Sequence, residues 1–191
     1  MSATLLEPQI SDGERRRALY AGDTIVYTPR TSSRAFCDHA WELIAEAFAP
    51  LDPAHAQFEL PVERFVAIIA PLKTRFTQHP RSKELLRRLL EDLGCDAHET
   101  YFDVPKLRIV SSDGYLTSGV GYAYKAHRDI WYACPPSQIN WWLPITEITE
   151  RCALIIHPKY FDRPVANNSS DFDAYRWNAD GRKSAAQHIT S

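Results

Sequence analysis

His127 and Asp129 stand one residue apart inside Ala126-His127-Arg128-Asp129-Ile130-Trp131-Tyr132. On a β-strand, where successive side chains alternate between faces, both would point the same way. An imidazole nitrogen and a carboxylate oxygen side by side are two of the three donors of a facial metal triad, which holds an ion such as iron(II) while leaving coordination positions open. After the turn Pro135-Pro136-Ser137, the run Gln138-Ile139-Asn140-Trp141-Trp142-Leu143 alternates polar with apolar and places Gln138, Asn140 and Trp142 on one face. Buried amides find hydrogen-bond partners or cost about 1–3 kcal/mol each. A polar ligand, or the surroundings of a bound metal, supplies such partners. Trp142 on the same face is a candidate pocket wall, whereas Trp131 and Trp141 read as packing residues.

The elements that must position these groups change character near Gly94. Before it the pattern is helical. A short helix is expected near Asp12 to Leu19, followed by an extended piece at Thr24-Ile25-Val26-Tyr27. Phe36, Ala40, Leu43 and Ala47, widened by Ile44 and Phe48, predict an amphipathic helix from Ser33 to Pro50. Val62, Phe65, Ile69, Leu72 and Phe76 predict another after Pro61, with Pro71 kinking or shortening it. Ser82 is expected to cap Lys83 to Leu93, whose leucines form one face, with Gly94 ending the helix.

Past Gly94 the pattern is that of strands. Lys106 to Val110 alternates, Asp113-Gly114 signals a turn, and Val120 to Trp131 is rich in tyrosine and β-branched residues. Gln138 to Leu143 and Cys152 to Ile156 complete four expected strands, and from about Arg163 the sequence becomes polar.

Composition excludes several functions. With 191 residues and 45% hydrophobic content the chain suits one domain with a sizeable core. A net charge of -2, without a basic block, favours neither nucleic acid nor a membrane surface as partner. Cys37, Cys95, Cys134 and Cys152 form no Cys-x-x-Cys and read as reduced, mostly buried thiols. With no secretory leader and no apolar stretch long enough to span a bilayer, the expected location is cytoplasmic. His39, His55, His79 and His98 lack metal-ligand spacing, and Arg15-Arg16-Arg17 and Arg87-Arg88 read as solvated faces. Lys106 or Arg108 has the charge to bind a carboxylate, against the commoner reading of an exposed cation. There is no glycine-rich phosphate loop and no nucleophile elbow.

From about residue 105 to 165 the chain resembles the iron(II) and 2-oxoglutarate dependent oxygenases, within them the phytanoyl-CoA dioxygenase-like group. The resemblance rests on Tyr124-Lys125-Ala126-His127-Arg128-Asp129, on Gln138 to Leu143 and on Cys152 to Pro158. It implies an α+β fold in which N-terminal helices pack on a double-stranded β-helix, or jelly roll, here complete or incomplete. The expected divisions are a helical flank over 1–100, the first strands of the β-helix over 101–165, and a polar tail or loop over 166–191. It implies metal ligation by His127 and Asp129, contact of Gln138 and Asn140 with 2-oxoglutarate or substrate, and a substrate contact at Trp142. The implied activity is hydroxylation of a small organic substrate, with iron(II) as cofactor and 2-oxoglutarate as co-substrate; an aspartate at 129, in place of the small residue of halogenases in that superfamily, favours hydroxylation.

Such a family also carries a distal histidine and, soon after it, an arginine that grips the 2-oxoglutarate carboxylate. His157 falls at the end of the fourth expected strand, a poor place for the ligand, and His188 sits in a polar run. The expectation is therefore an N-terminal portion of a longer protein, inactive alone, with the third ligand beyond Ser191. Two alternatives stand beside it: a non-catalytic jelly-roll module that binds a small molecule or a protein, and a cupin-type metalloenzyme that needs no 2-oxoglutarate.

Overall fold

A computed structural model describes residues 2–116, 126–132, 134–167 and 169–171. Its order is β1 (Thr4–Leu6), α1 (Asp12–Tyr20), β2 (Thr24–Val26), α2 (Thr31–Phe48), α3 (Ala56–Glu59), α4 (Val62–Gln78) and α5 (Pro80–Asp92), followed by 3-10 turns at Asp129–Tyr132, Pro158–Tyr160 and Ser169–Asp171.

The core is helical. α2 packs on both α4 and α5, which also touch each other. The repeats read from the sequence supply the contact: Phe36, Ala40, Leu43 and Phe48 from α2 meet Phe65, Ile69, Leu72 and Phe76 from α4, all buried. Phe36 tilts against Phe76 with ring centroids 5.6 Å apart, and Phe48 against Phe65 at 5.5 Å. Among the described residues no helix is long and apolar enough to cross a membrane.

Local chemistry sets the helix ends. Ser11 and Glu14 form a capping box on α1, in which the Ser11 hydroxyl accepts the Glu14 N–H and the Glu14 carboxylate accepts the Ser11 N–H at 2.9 Å. α4 runs through Pro71 without ending. α5 begins earlier than Ser82 predicts: its N-cap is His79, whose Nδ1 accepts the Arg81 N–H at 3.1 Å. Ser82 lies within the helix, fully buried. Gly94 follows α5 at φ +69, the left-handed conformation that makes glycine the usual terminator.

The β structure departs from the jelly roll that the sequence suggests. The sheet among the described residues has two strands, β1 and β2, paired in parallel with Thr4 beside Thr24 and Leu6 beside Val26. α1 is the crossover that a parallel pair requires. None of the four strands expected after Gly94 appears as a strand among the described residues, and the mostly helical architecture is not a double-stranded β-helix. Residues 120–125 of the second lie outside those residues.

The physical reason is that alternation specifies which side chains are buried, not that a neighbouring strand is in register to accept the backbone groups. At Lys106 to Val110 the alternation is realised against helices. Leu107 is 4% exposed in the core and Ile109 packs on it, while Lys106, Arg108 and Val110 face outward. Cys152 to Ile156, expected as a short apolar strand, is not buried: Leu154, Ile155 and Ile156 are 55%, 68% and 53% exposed.

Candidate functional site

The platform for the site is the N-terminal β1-α1-β2 unit. Arg15, expected on a solvated face, is 4% exposed. Its guanidinium pairs with Asp12 at 3.0 Å, donates to the Tyr27 hydroxyl at 3.1 Å and to the Leu93 carbonyl, and lies 5.9 Å from the Trp141 ring centroid. Tyr27 stacks on Trp141, with centroids 6.2 Å apart. The Tyr20 hydroxyl donates to the Ser137 carbonyl at 2.8 Å. These contacts seat residues 137–141 on α1 and β2. Residues 158–163 are seated next to them, because a Cβ at Gly22 would lie 2.7 Å from the Phe161 ring, so only glycine permits that approach. Arg128 then joins the metal-candidate segment to this layer by donating to the carbonyls of Tyr160 and Arg163.

His127 and Asp129 do meet, by a different route from the one their spacing suggests. Asp129 opens a 3-10 turn, and the two residues are not on a strand. His127 Nε2 lies 3.1 Å from Asp129 Oδ1. The Asn140 amide donates to Asp129 Oδ2, and the Gln138 amide donates to Asn140 Oδ1 at 2.7 Å. Four residues chosen for strand alternation thus form one hydrogen-bonded chain: Gln138, Asn140, Asp129, His127. The His127 side chain is 26% exposed and that of Asp129 39%, so the site opens to solvent. The hydrogen bond from His127 holds the Asp129 carboxyl below its ordinary pKa, with smaller help from the charges of His127 and Arg108 and from Asn140, against the opposing effect of burial.

Two ligands at about 2.1 Å on adjacent octahedral positions stand about 3.0 Å apart. The 3.1 Å spacing of His127 Nε2 and Asp129 Oδ1 fits that edge. With Asn140 on the far carboxylate oxygen, the pair also has the hydrogen bond that orients ligating carboxylates. A third donor is not supplied, since the described residues contain no group of three or more histidine, cysteine, aspartate or glutamate side chains placed to hold a metal. His188 lies outside the described residues. His157 is turned edge-on to the Tyr160 ring, with centroids 6.3 Å apart. Trp142 is 46% exposed. The thiols of Cys37, Cys95 and Cys134 are half-buried and Cys152 is exposed, all four free.

A second constellation was not singled out by spacing. Ser82 Oγ is 3.1 Å from His39 Nε2, and Glu42 Oε2 is 3.9 Å from His39 Nδ1. The order resembles a nucleophile, base and orienting carboxylate, but Ser82 is 0% and His39 2% exposed. No acyl group reaches a hydroxyl so enclosed, and the pair serves as a buried tie between α2 and α5. The sequence signal for it was two polar residues on the apolar stripes of their helices.

No protein-family description, curated protein or solved structure matches this chain.

Proposed function

We propose that this chain contributes His127 and Asp129 as two ligands of an iron(II) site in a 2-oxoglutarate dependent oxygenase acting on a small organic substrate. The observation that carries the reading is the 3.1 Å approach of His127 Nε2 to Asp129 Oδ1, with Asn140 and Gln138 lined up behind the carboxylate. In this reading bound iron with 2-oxoglutarate supplies the oxidising chemistry. His127 offers a neutral imidazole nitrogen, and Asp129 stays ionised and offers Oδ1. Asn140 fixes the carboxylate plane, and Gln138 fixes Asn140. Anaerobic addition of iron(II) and 2-oxoglutarate to the protein should give the weak visible charge-transfer band of the chelate, lost in His127→Ala and in Asp129→Ala. A missing band, or one unchanged in either variant, sinks the proposal.

One observation favours a second reading, a binding module without metal: the network is already closed, since His127 and Asn140 between them satisfy both carboxylate oxygens of Asp129. Metal analysis separates the two. A module of that kind purifies without stoichiometric iron and loses no metal on Asp129→Ala.

A further inference from the structure

Residues 146–156 are exposed without a break, and within that run Ile148, Leu154, Ile155 and Ile156 all present apolar surface to solvent. Apolar exposure gathered in one stretch marks a contact surface, whereas scattered exposed residues do not. The backbone is open there as well. Among the described residues, no N–H or carbonyl of residues 153–156 enters a hydrogen bond. Turns close this window at both ends: the Cys152 N–H donates to the Thr149 carbonyl and the Tyr160 N–H to the His157 carbonyl, each at 3.0 Å. The window thus offers the unpaired backbone and the apolar side chains of an edge strand, the template on which another strand adds.

Its flanks decide what adds. Glu150 stands before the window and Lys159 after it, both exposed and neither in an ion pair among the described residues. An antiparallel copy of the same segment reverses that order, so acid meets base at both ends. A two-fold antiparallel pair has one residue facing itself on the axis, and two residues near the centre of the window compete for that place. With Ile155 on the axis, the register continued outward sets Arg151 opposite Lys159 of the second copy, and like charges directly opposite are destabilising. With Leu154 on the axis, Leu154 meets Leu154, Ala153 meets Ile155, Arg151 meets His157, and Glu150 comes diagonally beside Lys159. The charges select Leu154.

We propose that residues 153–156 form an antiparallel two-fold contact with a second copy of this chain, with Leu154 on the axis and Glu150 beside Lys159 of the other copy at each end. The contact does not depend on the metal reading. A patch this short is small for a stable interface, so the pair is weak and forms only in concentrated protein. In dilute protein the segment is free, and its amides exchange as those of an unpaired chain. Sedimentation equilibrium should show a reversible equilibrium between one copy and two. Leu154→Lys, at a position already exposed in the single copy, should weaken association about tenfold or more and leave the melting temperature of dilute protein unchanged. Lys159→Glu should weaken it about fivefold, and Lys159→Glu together with Glu150→Lys should restore it. In a Cys152→Ser background, Leu154→Cys should cross-link two copies under a mild oxidant, because residues facing each other across the axis lie within disulfide reach, whereas the similarly exposed Ile156→Cys should not. A single copy at every concentration, association that continues past two copies, parental pairing in Leu154→Lys, a double variant no tighter than Lys159→Glu, or cross-linking at Ile156→Cys in preference to Leu154→Cys overturns the assignment.

Discussion

His39 is held between α2 and α5 with its Nε2 on Ser82, and the groups around it decide how it titrates. Burial is the largest influence and favours the neutral ring; the charges of His79, Arg81 and Arg75 act in the same sense, against Glu42. The His79 ring is 4.7 Å away edge-on, and Phe76 packs at 6.2 Å. The folded protein therefore keeps His39 neutral over a range in which the unfolded chain, with a histidine pKa of about 6.5, takes up a proton. Because the unfolded state then binds more protons, stability is fully present above about pH 6.5 and is lost as pH falls toward the depressed folded value. One such proton contributes at most about 1.4 kcal/mol per pH unit. Urea unfolding at pH 7.5 and pH 5.5 should show a smaller acid loss in His39→Gln than in the parent; equal losses would mean that His39 titrates alike in both states. Asp129 shows the same logic at the surface, where a carboxylate is kept ionised by the residues that the sequence placed beside it.

At the scale of elements, what could be read depended on how local the information was. The stripes Phe36-Ala40-Leu43 and Phe65-Ile69-Leu72-Phe76 specify a helix and its buried face within a few turns, and α2 and α4 form where those stripes lie. The start of α1 was also written locally, in the Ser11–Glu14 box. The strands expected after Gly94 needed partners that no local pattern specifies, so Leu107 found a helix instead and Leu154 to Ile156 found nothing among the described residues. The candidate site was legible as a set of residues and illegible as a geometry: Gln138 and Asn140 share a face as alternation predicts, but Asp129 reaches them from a 3-10 turn, through anchors on α1. Gly22, in the turn between α1 and β2, is a further anchor, at φ +97 and under the Phe161 ring. Gly22→Ala forces both an unfavourable backbone and a clash, and should cost about 1–3 kcal/mol. In a chain of this size that lowers the melting temperature by several degrees. A shift below one degree would show that Phe161 does not sit on the α1–β2 turn.

For the molecule as a whole, the two halves are held by different forces. Residues 12–92 are built on intrahelical hydrogen bonds and a shared apolar core, whereas among the described residues of 101–167 it is Leu107, Ile109, Tyr115, Leu116, Leu143 and Ile145 that reach that core. The Tyr115 hydroxyl, donating to the Leu60 carbonyl at 2.7 Å, is one of the polar ties between them, as are the Thr77 hydroxyl on the Pro105 carbonyl and the Gln57 amide on Ser112. Amides in α2, α4 and α5 can exchange with solvent only when packed helices open, which costs a large share of the global stability. Those of residues 138–143 and 152–156 have no strand ladder among the described residues to break. Native-state hydrogen exchange should therefore divide the chain: slow amides at Ala40, Leu43, Ile69, Leu72 and Leu89, and exchange faster by orders of magnitude at Ile139, Leu154 and Ile155. The segment Leu154-Ile155-Ile156 is the decisive reporter, because an apolar run left exposed, with two β-branched isoleucines in it, is the sequence most ready to pair with another strand. Slow exchange there, in alternate residues, would mean that it does pair.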